Sequence, residues 1–311
     1  GKGEVKIRMK ASSLNFRDFL MVQGLYNPRQ PLPIIPCSDG VGEVVEIGEG
    51  VSRVKVGDRV AGCFFQGWPS GEPTVEKAIT TLGSPLDGML AEYRVLNEEG
   101  VVHVPKHLSD EQAATLTCAA VTAWRALVTY GGRKAGDTIL VQGTGGVSLF
   151  GLQIGKMIGA RVVVTSSSNE KLERAVQMGA DHGINYRETP KWGKAAREWA
   201  DGIGVDHVVE VGGAGTLQES LQAVRIGGEI SMIGVLSGGA KELSILPILM
   251  KNIRVQGIVV GHREGLEAMN RAMAQHKLVP MVDRVFPFQE VKQAFQVMEK
   301  GEHFGKICLK F

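Results

Sequence analysis

The chain has 311 residues, with 35 Lys and Arg against 33 Asp and Glu for a net charge of +2. That length suggests two domains, each able to bury its own apolar core, and the near balance of charge supplies no field for a phosphate backbone or an anionic membrane. A hydrophobic content of 43% with 22% charged residues excludes whole-chain disorder and membrane spanning, while 41 glycines point to many turns and close backbone approaches.

The first residues alternate through Val5, Ile7 and Met9, with no signal peptide in the stretch given. Up to about residue 105, short alternating segments at 42–47, 59–61, 91–95 and 101–104 between Gly and Pro turns predict a compact, mainly β module. The Gly-, Pro-, Ser- and Thr-rich stretch 67–88 predicts a long loop, of a kind that often carries function. Ser109, three residues before Gln112, predicts a capped helical region whose apolar positions reach Leu127.

From Thr138 the rhythm becomes strand, helix, strand. Strands are predicted near 138–142, 161–165, 182–184, 206–211, 229–233 and 253–260, with helices between them, as at 147–158 and from the Ser166–Asn169 cap candidates to Met178. Continuous apolar strands alternating with helices predict an α/β domain built on a doubly wound parallel sheet of the Rossmann type. After Gly265 a helix, a β segment at 284–286, a helix at 289–299 and a strand at 306–309 are expected. No run nears the length of a membrane span; the densest, 245–250, is broken by Pro247. Four widely spaced cysteines, at 37, 63, 118 and 308, suit reduced thiols in a cytoplasmic protein better than disulfides.

The strongest chemical signal is Gly143-Thr144-Gly145-Gly146-Val147-Ser148, directly after one predicted strand and opening a helix. Gly143 permits the tight turn, Gly145 lets the backbone approach a pyrophosphate, and Gly146 and Val147 open the helix whose free N–H groups would hold it. Ser148 stands where the pattern has its third glycine. An NAD site places an acid at the end of the next strand; here that position reads Ser166-Ser167-Ser168, with Lys171 close behind. Hydroxyls and a cation in place of a carboxylate favour a 2′-phosphate, so the expected cofactor is NADP(H). The same serines also make good helix caps. His207 and Glu210, on a buried strand, read as satisfied core polar groups.

Together with that turn, Ser13-Leu14-Asn15-Phe16-Arg17-Asp18, Pro36-Cys37-Ser38-Asp39-Gly40-Val41-Gly42-Glu43-Val44 and Val56-Gly57-Asp58-Arg59-Val60 extend the pattern toward the front of the chain. Cys118-Ala119-Ala120-Val121-Thr122-Ala123-Trp124 and Gly179-Ala180-Asp181 complete it. In combination these residues resemble the medium-chain dehydrogenase/reductases, in particular the zinc-free quinone-oxidoreductase-like and alcohol-dehydrogenase-like branch. The resemblance spans essentially the whole chain. It implies a GroES-like, mainly β substrate domain over 1–121 and 262–311 and a Rossmann domain over 122–261, with another strand or two before residue 1. It also implies an NADP(H)-dependent, zinc-independent oxidoreductase acting on a quinone, an enone or a carbonyl/alcohol couple, or alternatively an NADPH-binding structural or regulatory module with little turnover.

Zinc relatives carry a cysteine ligand in the segment matching Asn15 to Asp18, a His-Glu pair at Ser38-Asp39 and a second cysteine at Cys118. Only Cys118 is kept, too little for a catalytic zinc, and it reads as a small buried hydrophobe. By the same resemblance Asn15, Tyr26 and Thr122 surround nicotinamide and substrate as hydrogen-bond donors. Asp18 and Asp39 read as backbone-fixing groups or partners of Arg17. Tyr186, Gly212, Ile233 and Val260 fall at strand ends, where open α/β sheets bind ligands, and join the cofactor set. The strand at 253–260 is expected at the open edge of the sheet, pairing with a second copy in a homodimer.

Overall fold

A computed structural model describes residues 1–237 and 243–311, which divide into two compact units, Gly1–Val121 with Val260–Phe311 and Thr122–Val259. The first unit begins β1 (Glu4–Ser13), α1 (Phe16–Val22), β2 (Asp39–Ile47), β3 (Arg59–Gly62), the one-turn α2 (Val75–Ala78), β4 (Tyr93–Asn97), β5 (Val101–His103) and α3 (Asp110–Ala114). Period-two alternation buries Val5, Ile7, Met9 and Ala11 on one face of β1, against Val44, Val60, Val101 and Met89. β2 lies antiparallel to β1 in a register that runs from Val5 opposite Ile47 to Ser13 opposite Asp39.

Helix α1 departs from the all-β reading of this region. Its only buried residue is Asp18, so it has no apolar stripe for a periodicity argument to detect; its first turn is held instead by the Asp18 carboxylate, which accepts the Asn15 N–H at 2.8 Å. The capping box at Ser109 is present as expected, with Ser109 Oγ accepting from Gln112 N and Gln112 Oε1 from Ser109 N. Beyond α3 the helical path widens into π turns at Leu116–Ala120 and Arg125–Tyr130, on either side of α4 (Val121–Trp124).

The second unit follows with β6 (Thr138–Gln142), α5 (Gly146–Met157), β7 (Arg161–Ser166), α6 (Asn169–Gln177), β8 (His182–Asn185), α7 (Trp192–Trp199) and β9 (Val205–Glu210). Next come α8 (Leu217–Ala223), β10 (Val224–Met232), α9 (Leu246–Met250) and β11 (Arg254–Gly257). The six strands pair in parallel in the order β11-β10-β9-β6-β7-β8, so the chain leaves β6 first to one side and then to the other. Leu140, Val163, Val208 and Ile230 pack with Trp192, Ala196, Leu217 and Leu221 of α7 and α8. The last strand is shorter than the sequence suggests: it ends at Gly257, and Val260 beyond it takes a left-handed φ of 48° that no strand accommodates.

The chain returns to the first unit through α10 (Arg263–His276), β12 (Val282–Pro287), α11 (Val291–Lys300) and β13 (Lys306–Lys310). The first sheet then reads β12-β13-β1-β2-β3-β5, with β4 also paired to β1. β13 runs antiparallel to β1 with Cys308 opposite Ser13, which carries Lys306 to the end of β1. Among the described residues no helix is long and apolar enough to cross a membrane.

Candidate coenzyme and substrate sites

Parallel pairing lines up the carboxyl ends of the six strands, and nearly all of the predicted cofactor residues lie there. The turn after β6 has the shape expected of a phosphate cradle. Gly143 has a φ of 72°, and a Cβ built on Gly145, the N-cap of α5, would meet nothing within 4 Å. No side chain caps α5, and the first N–H groups of this twelve-residue helix, from Gly146 and Val147 onward, lie outside its own ladder of hydrogen bonds. Ser148 replaces the third glycine without loss: it is 2% exposed and its hydroxyl donates to the Gln142 carbonyl. The close helix-to-sheet approach is made one turn later, where a Cβ on Gly151 would lie 2.9 Å from Val141 and one on Gly155 2.8 Å from Val162.

At the end of β7, Ser166 is buried and Ser168 caps α6. Ser168 N donates to Ser166 Oγ at 3.3 Å and Lys171 N to Ser168 Oγ at 3.3 Å, so each hydroxyl accepts locally and keeps its own proton to donate. Tyr186 joins them through its backbone, donating to Ser166 O at 3.0 Å, while its ring is exposed. Gly212 and Ile233 lie at the ends of β9 and β10, with Ile233 N donating to Glu210 O at 2.8 Å. Val260 belongs to the other unit.

Glu210 organises the turn after β9. Fully buried, its carboxylate accepts from Gln142 Nε2 at 2.6 Å, Gly212 N at 2.8 Å, Gly213 N at 2.9 Å, Thr216 Oγ1 at 2.6 Å and Ser220 Oγ, while Gln142 Oε1 takes the N–H groups of Val211 and Gly212. Reading Glu210 as a satisfied core group therefore missed what it satisfies: the backbone of the Gly212 loop and the last residue of β6.

In the first unit a second polar cluster closes where β1, β2 and β13 meet. Asp39, with no exposed surface, accepts from Ser13 Oγ and Thr117 Oγ1, both at 2.8 Å, and pairs with Lys306 Nζ at 3.3 Å. Lys306 Nζ also donates to Leu14 O at 2.7 Å and Asn15 Oδ1 at 2.5 Å. Asn15 Nδ2 reaches Ser38 Oγ at 3.4 Å. Asp18 takes the N–H of Ser38 as well as that of Asn15; burial pushes its carboxyl up to about 6, with the Arg17 charge working against that rise. Arg17 pairs with neither aspartate. Its guanidinium lies 4.8 Å from the ring centroid of Tyr26 and 4.7 Å from that of Phe64, and it donates to Leu82 O at 2.7 Å. Tyr26 follows α1 and is 46% exposed. The structure thus brings Asn15 and Tyr26 onto the two ends of α1, whereas Thr122, buried at the start of α4, belongs to the second unit.

Comparison with known proteins decides the ancestry. Residues 1–106 match the family described as "Alcohol dehydrogenase GroES-like domain" and residues 146–275 that described as "Zinc-binding dehydrogenase". A zinc-type alcohol dehydrogenase-like protein of Schizosaccharomyces pombe is 42% identical over 99% of this chain and 91% of its own. An acryloyl-coenzyme A reductase of Metallosphaera sedula is 30% identical over 99% of this chain and 92% of its own. A crystal structure of an NAD-dependent alcohol dehydrogenase superposes with a TM-score of 0.91 at 33% identity, covering all of this chain and 92% of that one. The chain belongs to the medium-chain dehydrogenase/reductase family. It is an alcohol-dehydrogenase-like oxidoreductase of a nicotinamide-dependent family, with a Rossmann unit and a GroES-like unit.

The zinc in these family descriptions meets a different donor set at the Asn15 cluster, whose carboxylates, Asp18 and Asp39, are already engaged by N–H, hydroxyl and ammonium groups. Of the positions that the resemblance matches to zinc ligands, Asn15 carries an amide, Ser38 a hydroxyl, Asp39 a carboxylate paired with Lys306, and Cys118, half-buried rather than buried as expected, a thiol that desolvation, reinforced by the Asp39 carboxylate, keeps protonated. The Asn15 amide oxygen already faces an ammonium, a poor neighbour for a dication. Among the described residues no group of three or more His, Cys, Asp or Glu side chains could hold a metal ion.

Proposed function

We propose that this medium-chain dehydrogenase/reductase is NADP(H)-dependent and works without zinc on a quinone, an enone or a carbonyl/alcohol pair. The observation that carries the coenzyme assignment is the end of β7, where Ser166 and Ser168 supply hydroxyls in place of the carboxylate that an NAD ribose would bond. A 2′-phosphate there meets no like charge from the strand end and has Lys171 in the first turn of α6; Glu170 beside it is exposed.

When bound, the coenzyme supplies the hydride chemistry. The backbone from Gly143 to Val147 holds its pyrophosphate, and Tyr186, Gly212, Ile233 and Val260 are assigned to the rest of the nucleotide. Asn15 Nδ2 donates to the substrate oxygen as negative charge gathers there, and the Tyr26 hydroxyl donates a hydrogen bond or a proton. Thr122 is assigned a hydrogen-bonding role toward nicotinamide and substrate on the family resemblance. Four free cysteines, Cys37, Cys63, Cys118 and Cys308, support a place in the cytoplasm.

Fluorescence titration tests the assignment: NADPH is expected to bind at least about tenfold tighter than NADH, and equal affinities would overturn it. Activity is expected to survive strong chelator, with less than one zinc per chain by elemental analysis. Tight NADPH binding without oxidation by any member of a quinone and enone panel would instead favour a binding module.

We further infer a homodimer through β11. This strand ends the sheet, its one charge, Arg254, is spent on Glu229 at 2.7 Å, and Ile245, Leu246, Leu249, Met250 and Val259 beside it are exposed. Light scattering at micromolar concentration should report a dimer that Val255→Pro dissociates; a monomer would defeat the proposal.

A further inference from the structure

The proposed chemistry does not use Lys306, although an ammonium that is 3% exposed is among the most costly groups a protein can bury. Its surroundings are complete. Nζ has three N–H donors and three acceptors in reach: the Leu14 carbonyl at 2.7 Å, Asn15 Oδ1 at 2.5 Å and Asp39 Oδ2 at 3.3 Å. Asp39 balances the charge and is itself held by Ser13 and Thr117. The lysine is rigid because β13 is: Leu14 N donates to Ile307 O at 2.9 Å, which ties the end of β1 to the residue next to Lys306.

One consequence concerns Asn15. A side-chain amide can turn either its oxygen or its NH2 toward a given neighbour, but an ammonium has no lone pair to offer, so only the oxygen can face Lys306. The NH2 group, on the other branch of the same planar amide, is then turned away from the ammonium. It meets only Ser38 Oγ, at a long 3.4 Å, and is left with donor capacity. A positive charge on the amide oxygen also polarises the amide and makes its N–H a stronger donor.

We propose that Lys306 is a positioning residue that locks the Asn15 amide with Nδ2–H toward the substrate oxygen, touching neither substrate nor coenzyme itself. This rests on the reading of Asn15 as the donor to that oxygen. In this arrangement the buried Lys306–Asp39 pair is a fixed internal cation with its counterion, and the field it presents at Asn15 is present before substrate arrives.

The test uses the full chain, NADPH and an enone that the protein reduces. Lys306→Met combined with Asp39→Asn removes both charges together. It is expected to lower kcat at least tenfold, to change KM less than threefold, and to leave NADPH affinity within twofold of the parent; Lys306→Arg should restore most of kcat. Asn15→Ala separates the proposal from the reading beneath it. If Asn15→Ala leaves kcat unchanged, the reading of Asn15 fails. If Asn15→Ala lowers kcat while the Lys306/Asp39 variant does not, only the proposal fails. Combining all three substitutions should add nothing to the loss from Asn15→Ala, and additive losses would overturn the proposal. Should the Lys306/Asp39 variant not fold, Asn15→Asp decides: facing an ammonium it should melt above Asn15→Ala yet be as slow in kcat, and a melting temperature no higher than that of Asn15→Ala would overturn the contact.

Discussion

The two polar centres of this molecule are built on opposite plans. The turn after β6 works by leaving things out: no Cβ at Gly143 or Gly145, no cap on α5, and N–H groups held ready by backbone alone. The cluster at Asn15 works by filling every valence, with Lys306, Asp39, Ser13, Thr117 and Asp18 each spent on another group. In the proposed reading the open cradle takes its specificity from the ligand's charge, and the saturated cluster from the donor capacity left on Asn15. Glu210 links the plans inside the second unit, since a saturated carboxylate there shapes the open loop at Gly212.

Breaking that link should have the largest effect. Glu210→Ala takes from a dry interior the acceptor that five donors share, and is expected to cost about 4 kcal/mol of stability in urea titration, with weaker NADPH binding by the variant that remains folded. His207 on the same strand tests the dry interior from another side. Burial, helped by the charges of Arg133 and Arg254, lowers its pKa to about 3, so the folded state refuses a proton that the unfolded chain accepts below 6.5. Its contribution is whole above pH 6.5 and drains away as pH falls toward 3. Between pH 6.5 and 4, His207→Gln should therefore lose about 3 kcal/mol less stability than the parent.

The open plan predicts a different outcome for its own residues. A Cβ at Gly145 meets no neighbour within 4 Å and an aspartate suits the N-cap of α5, so Gly145→Asp should leave the melting temperature at or above that of the parent, while the added carboxylate weakens NADPH binding about a hundredfold, or about 2.7 kcal/mol. The smallest expected effect sharpens the coenzyme assignment. Lys171→Ala should cost NADPH about tenfold, near 1.4 kcal/mol, and leave NADH unchanged by the same titration; no loss with NADPH would remove the cation from the site.

The sequence by itself determined the second unit almost completely. Its central strands are buried on both faces and α6 opens on its own serine cap, so these elements are announced by neighbours in the chain, and a phosphate cradle made of one glycine turn is local by nature. The serines after β7 are equally local, which is why a coenzyme preference can be argued from them. Tertiary structure decided the rest. Helix α1 buries a carboxylate rather than an apolar stripe, so its residues carry no period to read. Glu210 and Gln142 lie 68 positions apart and meet only because β9 and β6 pair in parallel. Arg17 could be expected to pair with an acid beside it, but the rings of Tyr26 and Phe64 take it instead. The cluster at Asn15 gathers residues 13, 15, 18, 38, 39, 117 and 306, and no periodicity signals that a lysine on the last strand will close against the end of the first. Hydrogen bonds and charges act over a few ångströms of space whatever the separation along the chain, so a site assembled from strand ends becomes visible only once the register of the sheet is known.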